Sequence, residues 1–422
     1  MKDTINIPYG KESLALQLPD GHKCQILEPK KVVPHAAAAD IVRKALENPI
    51  ASPGLKALTK DVKKIVFITN DNTRPMPSHI TIPTIIENFY HPESHYDITI
   101  LIATGLHRLM TEDEKRAQYG EEVCRKYKVV NHDATDKENL VSLGVMSTGN
   151  ELFVNKLVTE TDLLISEGFI EPHMFAGFSG GRKSVHPGIS GADTILGNHK
   201  PENIGNDLAR QASLAGNPTH DEFTEAARLA KLRFIMNVAL NEKKEITAAW
   251  AGDPVEAHAV GCAHVKEAMS VDAEKTDIVI TSNNGYPLDR NLYQVVKGID
   301  TANFVVKDNG CIIVAARCMD GVAHEHFGNL LLSCKTIPEL ADVMSKPPTS
   351  TDKWQVQVLV RALTRCKVIL VSEGIERDLA ERMHFSYADS LDEALKMAIS
   401  HVGKDASISV MAEGPVVIPR IV

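Results

Sequence analysis

The chain has 422 residues, of which 43% are hydrophobic and 24% charged, proportions that are ordinary for a folded globular protein. Its 46 basic and 55 acidic residues give a net charge of −9, which argues against nucleic acid as the main partner. The length exceeds one typical domain and predicts two. No apolar run resembles a signal peptide or a membrane span, so we expect a cytoplasmic protein with no membrane partner.

The seven cysteines are scattered along the chain and form no C-x-x-C pair. An odd and dispersed set of this kind argues against a disulfide framework and against a structural zinc site. We therefore expect most of the thiols to be small buried side chains in a reducing compartment.

The first half of the chain repeats one pattern. Residues 1–30 alternate polar and apolar side chains and predict a small β-meander, and residues 38–47 predict an amphipathic helix. Short Val- and Ile-rich runs follow, each ending in a polar loop and separated by helical patterns, which is typical of a buried parallel sheet. The predicted strands are 64–70, 98–104, 128–133, 162–168 and 233–240, and the later helices are 220–230 and 256–269.

The same pattern restarts near residue 275, after a predicted seam at 269–276. The predicted strands are 277–283, 311–316, 367–374 and 407–414, and the predicted helices are 291–297, 323–332, 355–364 and one that begins at Ser390 with a capping-box Glu393. The sequence therefore predicts an α/β fold class, with two α/β domains, mainly parallel sheets and an active-site cleft between them. We place the N-terminal domain at 1–272, which the segment 400–422 could join, and the C-terminal domain at 273–399.

Polar residues follow several of the predicted strands, where open parallel sheets bind their ligands. Arg74 follows strand 64–70 and suits a carboxylate or phosphate, with Asp71 placed to orient it. The alternative is an Asx turn with a solvated arginine. His107 follows strand 98–104 and His173 follows strand 162–168, both good positions for an acid or base. The alternative is a capping or surface histidine for His107 and a surface or core histidine for His173.

Lys183 follows a glycine–serine turn that contains Ser179, Gly180 and Gly181. A backbone-exposing loop beside a lysine suits an anionic cofactor, although such a loop by itself is also a common turn. The turn matches G-x-S-x-G, but Pro172 before it and Pro187 after it break the strand–helix context of a nucleophile elbow. Neither H-E-x-x-H nor a G-x-G-x-x-G after the first strand is present, which argues against a zinc hydrolase and ordinary NAD binding.

Tyr293, Gln294 and Lys297 lie on one predicted helix, where spacings of three and four residues put them on one side. A lysine and a glutamine together can hold a small oxyacid, and the alternative is an exposed amphipathic helix. Trp354 follows a polar loop and either walls a pocket or fills the second core.

Five blocks of sequence together resemble the family of nickel-dependent lactate racemases and their 2-hydroxyacid racemase and epimerase relatives. The blocks, in chain order, are DNTRP, ATGLHR, EPHMFAGFSGGRKSVHPG, GNHKPEN and NLYQVVKG. The resemblance covers nearly the whole chain. It implies an isomerase with an N-terminal cofactor-binding domain and a C-terminal substrate-binding or lid domain. The family includes enzymes for lactate, malate, longer or aromatic hydroxyacids and sugar acids, among which the sequence does not choose.

The resemblance also implies a cofactor, a nicotinate-derived nickel pincer nucleotide attached covalently at Lys183. The Ser179–Gly180–Gly181 turn is then part of its binding site, and Ni²⁺ is held by His199 together with donors of the cofactor. Other enzymes must build this cofactor, so cofactor-biosynthesis enzymes are expected partners. His186 matches no role and is read as structural.

The resemblance implies a substrate and a set of contacts for it. The expected substrate is a small 2-hydroxycarboxylate, whose hydrogen at C2 moves reversibly as hydride to the cofactor. His107 and His173 match an acid and a base that serve the two enantiomers. The expected substrate contacts are Asp71, Arg74, Tyr293, Gln294, Lys297 and Trp354. Two alternatives stay open, a non-catalytic nickel- or nucleotide-binding homologue and an NAD-dependent 2-hydroxyacid dehydrogenase.

Overall fold

The computed structural model describes residues 4–90 and 95–422. Its strands are β1 Ile5–Tyr9, β2 Glu12–Leu16, β3 Cys24–Ile26, β4 Lys64–Asn70, β5 Asp97–Ala103, β6 Lys128–Asn131, β7 Leu140–Val145, β8 Glu151–Asn155, β9 Leu163–Phe169, β10 Pro172–His173, β11 Gly177–Phe178, β12 Leu232–Leu240, β13 Ile246–Gly252, β14 Ser270–Ala273, β15 Thr276–Ser282, β16 Val306–Ala315, β17 Lys367–Val371, β18 Ser386–Ala388, β19 Ile408–Met411 and β20 Ile418–Ile421. Its helices are α1 Ala38–Glu47, α2 Leu55–Leu58, α3 Ser78–Ile86, α4 Glu112–Tyr119, α5 Glu121–Lys126, α6 Ala192–Asn198, α7 Pro201–Gly205, α8 Pro218–Leu229, α9 Glu256–Met269, α10 Leu292–Val305, α11 Glu325–Leu332, α12 Ile337–Met344, α13 Lys353–Leu363, α14 Arg377–Arg382 and α15 Leu391–Val402.

The chain divides into two compact units. The N-terminal unit consists of Lys31–Asn198 and Leu208–Ala268. The C-terminal unit consists of Met269–Val422, His199–Asp207 and the described residues up to Lys30. The units thus differ from the predicted domains, because both the start of the chain and the short segment around α7 group with the C-terminal residues.

The N-terminal unit is built on a six-stranded sheet with the order β13-β12-β9-β4-β5-β6. All neighbours are parallel except β12 and β13, which pair antiparallel. Alternate residues of the central strands enter two different cores, so that Phe67 packs in one and Ile68 in the other. Burial of both faces explains why these strands have continuous apolar sequences.

The C-terminal unit is built on a second six-stranded sheet with the order β18-β17-β16-β15-β19-β3, parallel throughout. The β1–β2 hairpin packs its apolar side chains, including Ile7 and Leu16, into the core of this unit. The predicted β-meander over residues 1–30 is wrong in one respect. β3 does not extend the hairpin, because it forms backbone hydrogen bonds with β19 and becomes the edge strand of the large sheet.

The α/β fold class with mainly parallel sheets is confirmed. Helix 38–47 and helix 256–269 have the predicted bounds, and Ser390 caps α15 by accepting a hydrogen bond from the Glu393 backbone. Helix 291–297 is longer than predicted, since α10 continues to Val305. The cleft between the domains stays a prediction. No helix among the described residues is both long and apolar enough to cross a membrane.

Candidate active site

Four neighbouring parallel strands of the N-terminal unit, in the order β12-β9-β4-β5, bring their carboxyl ends to one edge of the sheet. Asp71 directly follows β4, His107 lies in the loop after β5, and His173 lies in β10, just after β9. This edge is where open parallel sheets bind ligands. The fold therefore brings three of the predicted site residues to one side of one sheet.

His107 and Asp71 form a pair at this edge. The Nδ1 of His107 lies 2.7 Å from Oδ2 of Asp71, and the imidazole is 44% exposed while the carboxylate is 3% exposed. A carboxylate on Nδ1 favours the tautomer that carries its proton there. Nε2 is then the nitrogen that can accept a proton from a ligand.

Asp71 is held on its other oxygen by Thr73, whose hydroxyl and backbone N–H donate to Oδ1 at 2.6 and 3.2 Å. Burial raises the pKa of the Asp71 carboxyl, but the hydrogen bonds and charges of His107 and Arg74 outweigh it, so the pKa lies below its ordinary value. The carboxylate is therefore ionised at neutral pH. Arg74 donates to the hydroxyl of Thr73 at 3.3 Å, so Thr73 links Arg74 to Asp71, and the orienting role of Asp71 stays a prediction.

The loop that carries Lys183 lies against the same strand ends. A Cβ placed on Gly168 of β9 would be 3.5 Å from Oδ1 of Asn70, 3.2 Å from Nδ2 of Asn237 and 3.6 Å from the Cα of Gly180. The backbone N–H of Gly105, two residues before His107, donates to the carbonyl of Gly188 at 2.9 Å. The lysine loop and the histidine loop are thus joined within one unit.

Gly180 and Gly181 allow this close approach. Both have positive φ, and a Cβ on Gly180 would lie 2.9 Å from Oδ1 of Asn237. The N–H of Gly181 donates to that same oxygen at 2.8 Å, and the hydroxyl of Ser179 donates to the carbonyl of Phe169 at 2.9 Å. Ser179 therefore shapes the turn through the backbone, which gives no support to a nucleophilic serine. Its contact with a cofactor stays a prediction.

Arg182 is a structural residue that the sequence analysis missed. Its side chain is 2% exposed, and its guanidinium donates to the carbonyls of Ala176 and Phe178 at 2.9 and 3.2 Å and contacts Nε2 of His258 at 2.8 Å. Burial lowers the pKa of Arg182 to about 10, so it remains a cation. It fixes the turn immediately before Lys183. Two adjacent basic residues usually lie on the surface, so the burial of Arg182 was not predictable from the sequence.

Lys183 lies in a 3₁₀ turn over Gly181–Ser184, with Nζ over the rings of Phe175 and Phe223 at 5.7 and 5.3 Å. The ring of Phe175 also meets His173 edge-on, with 4.6 Å between ring centroids. Phe175 therefore touches both predicted functional residues. Both rings lie within the distance at which cation–π attraction stabilises an ammonium group.

Tyr293, Gln294 and Lys297 lie in α10 of the C-terminal unit, as predicted. Asn291 caps the helix by accepting from the backbone N–H of Gln294 at 3.1 Å. The side-chain Oε1 of Gln294 is buried and makes no hydrogen bond within the described residues. A buried amide oxygen without a partner is costly and suits a position that a ligand completes.

His199 and Trp354 also belong to the C-terminal unit and contact each other edge-on, with 4.9 Å between ring centroids. His199 is 6% exposed and lies between α6 and α7. No group of three or more His, Cys, Asp or Glu side chains in the described part of the chain could hold a metal ion. The role of His199 as a metal ligand stays a prediction.

The structure adds a second imidazole–carboxylate pair that sequence reasoning missed. The Nδ1 of His324 lies 3.1 Å from Oδ2 of Asp352, and the imidazole packs against the Tyr293 ring with 4.3 Å between ring centroids and 34° between the ring planes. The two residues are 28 positions apart in sequence, and no motif links them. Only the position of α11 relative to α13 reveals the pair.

Comparison with known proteins places the chain in a family. Residues 9–211 match the lactate racemase N-terminal domain, and residues 271–419 match the lactate racemase C-terminal domain. The chain is 43% identical to the lactate racemase of Thermoanaerobacterium thermosaccharolyticum, covering 99% of both proteins. It is 41% identical to the lactate racemase of Lactiplantibacillus plantarum, covering 97% of this chain and 98% of that protein.

Solved structures agree with this placement. The structure of the lactate racemase apoprotein from T. thermosaccharolyticum superposes with a TM-score of 0.95 at 43% identity, covering 99% of this chain and 100% of that one. A Thermotoga maritima protein of 17% identity shares the fold, with a TM-score of 0.65 over 94% of this chain and 100% of that one. The chain belongs to the lactate racemase family and is an isomerase, a racemase.

Proposed function

We propose that the protein is a racemase or epimerase that inverts the configuration of a 2-hydroxycarboxylate at C2. The observation that carries this proposal is the His107–Asp71 pair, which lies at the ligand-binding edge of the sheet and on a loop joined to that of Lys183. Lactate, the substrate in the names of the relatives, is the first acid to test.

We propose a nickel pincer nucleotide as the cofactor. The nucleotide would be attached covalently to Lys183, and its Ni²⁺ would be bound by the nucleotide and by His199. Two features of the chain fit this group. The glycines at 180 and 181 let the lysine loop lie directly on the strand ends. The described residues supply no protein-only metal site, which suits a metal whose remaining donors belong to the cofactor. When bound, the nucleotide supplies the acceptor for the hydrogen that leaves C2 with its electron pair.

The chain's own residues handle the proton of the hydroxyl. A C2 hydrogen beside an ionised carboxylate is a very poor acid, so its removal as a proton is unfavourable. Loss of the hydroxyl proton to a histidine, together with departure of the C2 hydrogen and its electron pair, yields a planar ketoacid, which can turn so that the hydrogen returns to the opposite face. His107 accepts the proton at Nε2 while Asp71 stabilises the resulting imidazolium. His173 serves the opposite enantiomer. A positioned base of this kind contributes roughly 10²–10⁴-fold.

The substrate must be held while only C2 changes. Arg74 presents a planar fork that suits the carboxylate, and Lys297 supplies a second positive charge. Gln294 contacts the substrate through its side-chain amide, and Tyr293 and Trp354 line the pocket for the substrate side chain. Fixing both ends restricts motion to the reacting centre.

The proposal is tested by expressing the chain together with the enzymes that build the cofactor. Loss of optical rotation of a pure 2-hydroxyacid, without net ketoacid, is the expected result. Net ketoacid formed with soluble NAD would favour a dehydrogenase, and an adduct-bearing, metallated protein that exchanges no C2 hydrogen would be a non-catalytic homologue. The substitution Lys183→Ala should abolish the covalent mass adduct, whereas Lys266→Ala in α9 should keep it. An adduct that survives Lys183→Ala overturns the assigned tether.

A further inference from the structure

The His324–Asp352 pair has the same arrangement as the His107–Asp71 pair. The Asp352 carboxylate is 4% exposed behind a His324 side chain that is 49% exposed, compared with 3% and 44% for Asp71 and His107. In both pairs a buried carboxylate holds Nδ1 of an accessible imidazole. The proposed chemistry at C2 uses only the first pair.

Asp352 occupies an unfavourable backbone position. It is the N-cap of α13 in the left-handed region, with φ 64° and ψ −4°, and its side chain accepts no hydrogen bond from the helix. An aspartate at this position usually caps its helix, and the left-handed region is uncommon for residues other than glycine. The carboxylate of Asp352 contacts His324 and does not cap α13, and the backbone of the residue stays in the left-handed region. Contact with His324, rather than helix capping, explains the orientation of this carboxylate.

His324 lies among the proposed substrate contacts of the C-terminal unit. Its ring packs against Tyr293, which shares one face of α10 with Lys297. Gln355, in the first turn of α13, donates to the carbonyl of Tyr293 at 2.7 Å and ties the two helices together. Within the described residues, Nε2 of His324 makes no hydrogen bond. An accessible ring nitrogen thus adjoins the aromatic wall proposed for the substrate side chain.

We infer that His324 binds the substrate side chain through Nε2 and selects 2-hydroxycarboxylates that carry an oxygen beyond C2, as a hydroxyl or a carboxylate. This inference rests on the proposed function and narrows its substrate class. The methyl group of lactate offers the imidazole no partner, and a site built for a hydrogen bond discriminates against ligands that lack it. The hydrogen bond that His324 donates to Asp352 raises the pKa of His324, which favours the protonated donor and hence a carboxylate.

The test compares three acids with chains of four carbons on the loaded enzyme. Malate carries a terminal carboxylate, 2,4-dihydroxybutyrate a terminal hydroxyl and 2-hydroxybutyrate neither. We expect kcat/KM to be about 10–100-fold higher for one of the two oxygen-bearing acids than for 2-hydroxybutyrate. His324→Ala should remove most of that preference, mainly through KM. His326→Ala, an exposed histidine two residues along the same segment, is the matched control and should retain it.

The outcomes separate this inference from the proposed function. Equal kcat/KM ratios for the three acids in the wild type and in His324→Ala would overturn the role of His324 while leaving the racemase intact. If the loaded protein turns over no 2-hydroxyacid, the proposed function fails, and calorimetric titration with malate still reports on His324. Malate affinity that is the same in His324→Ala as in the wild type would overturn the inference there as well.

Discussion

Asp71 Oδ2 and His107 Nδ1 lie 2.7 Å apart, while Asp71 Oδ1 accepts both hydrogen bonds from Thr73. One buried carboxylate therefore orients an imidazole with one oxygen and closes a turn with the other. Because Asn can replace the turn-forming oxygen but not the charge, Asp71→Asn separates the two functions.

We expect Asp71→Asn to lower kcat by about 10²–10⁴-fold with little change in folding, since the imidazolium loses its stabilising charge. Asp133→Asn is a matched control, because Asp133 closes the same D-x-T turn by accepting from the N–H and hydroxyl of Thr135 at 2.9 and 2.7 Å. Racemisation rates over a range of substrate concentrations measure the effect. A loss of similar size in both variants would show that the turn matters and the pair does not.

The turn before Lys183 should not tolerate a side chain at Gly180. Gly180→Ala places a Cβ 2.9 Å from Oδ1 of Asn237 and from the carbonyl of Phe169, at φ +77°. Gly149 has φ +81° with nothing within 4 Å, so Gly149→Ala has the same backbone strain without the clash. We expect Gly180→Ala to reduce the mass adduct at Lys183 and to lower the melting temperature more than Gly149→Ala. Equal effects of the two substitutions would show that the short contacts of Gly180 with Asn237 and Phe169 do not exclude a side chain there.

Metal binding and cofactor attachment should respond to different residues. His199→Ala should lower the nickel content of the purified protein while the covalent adduct at Lys183 remains, because the two residues hold different parts of the group. Metal analysis and intact mass on the same sample measure both quantities. His384→Ala, a substitution in the C-terminal unit on the segment between α14 and β18, should change neither. Full nickel content in His199→Ala would contradict its assignment.

The His324–Asp352 pair predicts a pH-dependent contribution to stability. The pKa of His324 is raised in the folded state, so its stabilisation is complete below the unfolded pKa of about 6.5 and is lost as the pH rises through the folded value. Asp352→Asn, which also tolerates the left-handed backbone, should lower the melting temperature by about 1–4 °C near pH 5.5. The difference should shrink near pH 9, as thermal melts at both pH values would show. A constant difference would exclude an ionic contribution.

The long apolar strands were predictable from sequence because both faces of each central strand are buried. β4 keeps its predicted bounds of 64–70, and β5 is shifted by one residue. β3 was not predictable in its pairing, since a three-residue strand carries too little pattern to specify a partner near the other end of the chain. The hydrophobic pattern of a strand indicates which of its residues are buried, but it does not indicate which distant strand pairs with it.

The position of candidate site residues in the fold was predictable where several of them lie in one stretch of sequence, although their roles stay predictions. The block around Lys183 and the residues after β4 and β5 are of this kind. Arg182 and Asp352 were not, for different physical reasons. The hydrogen bonds of Arg182 go to backbone carbonyls, which any residue could supply, and Asp352 meets His324 only because α13 begins in a left-handed conformation. Such contacts are set by the tertiary structure.

The pairing of β3 with β19 bears on how this chain is made. β19 lies between β15 and β3, so neither neighbour completes its backbone hydrogen bonds until residues 408–411 leave the ribosome. At about 5–20 residues per second, β3 waits roughly 20–80 s after its own synthesis. The Lys31–Ala268 region is fully synthesised during that interval. A nascent chain that stalls before β19 would expose two unpaired strand edges at once, and such edges promote aggregation.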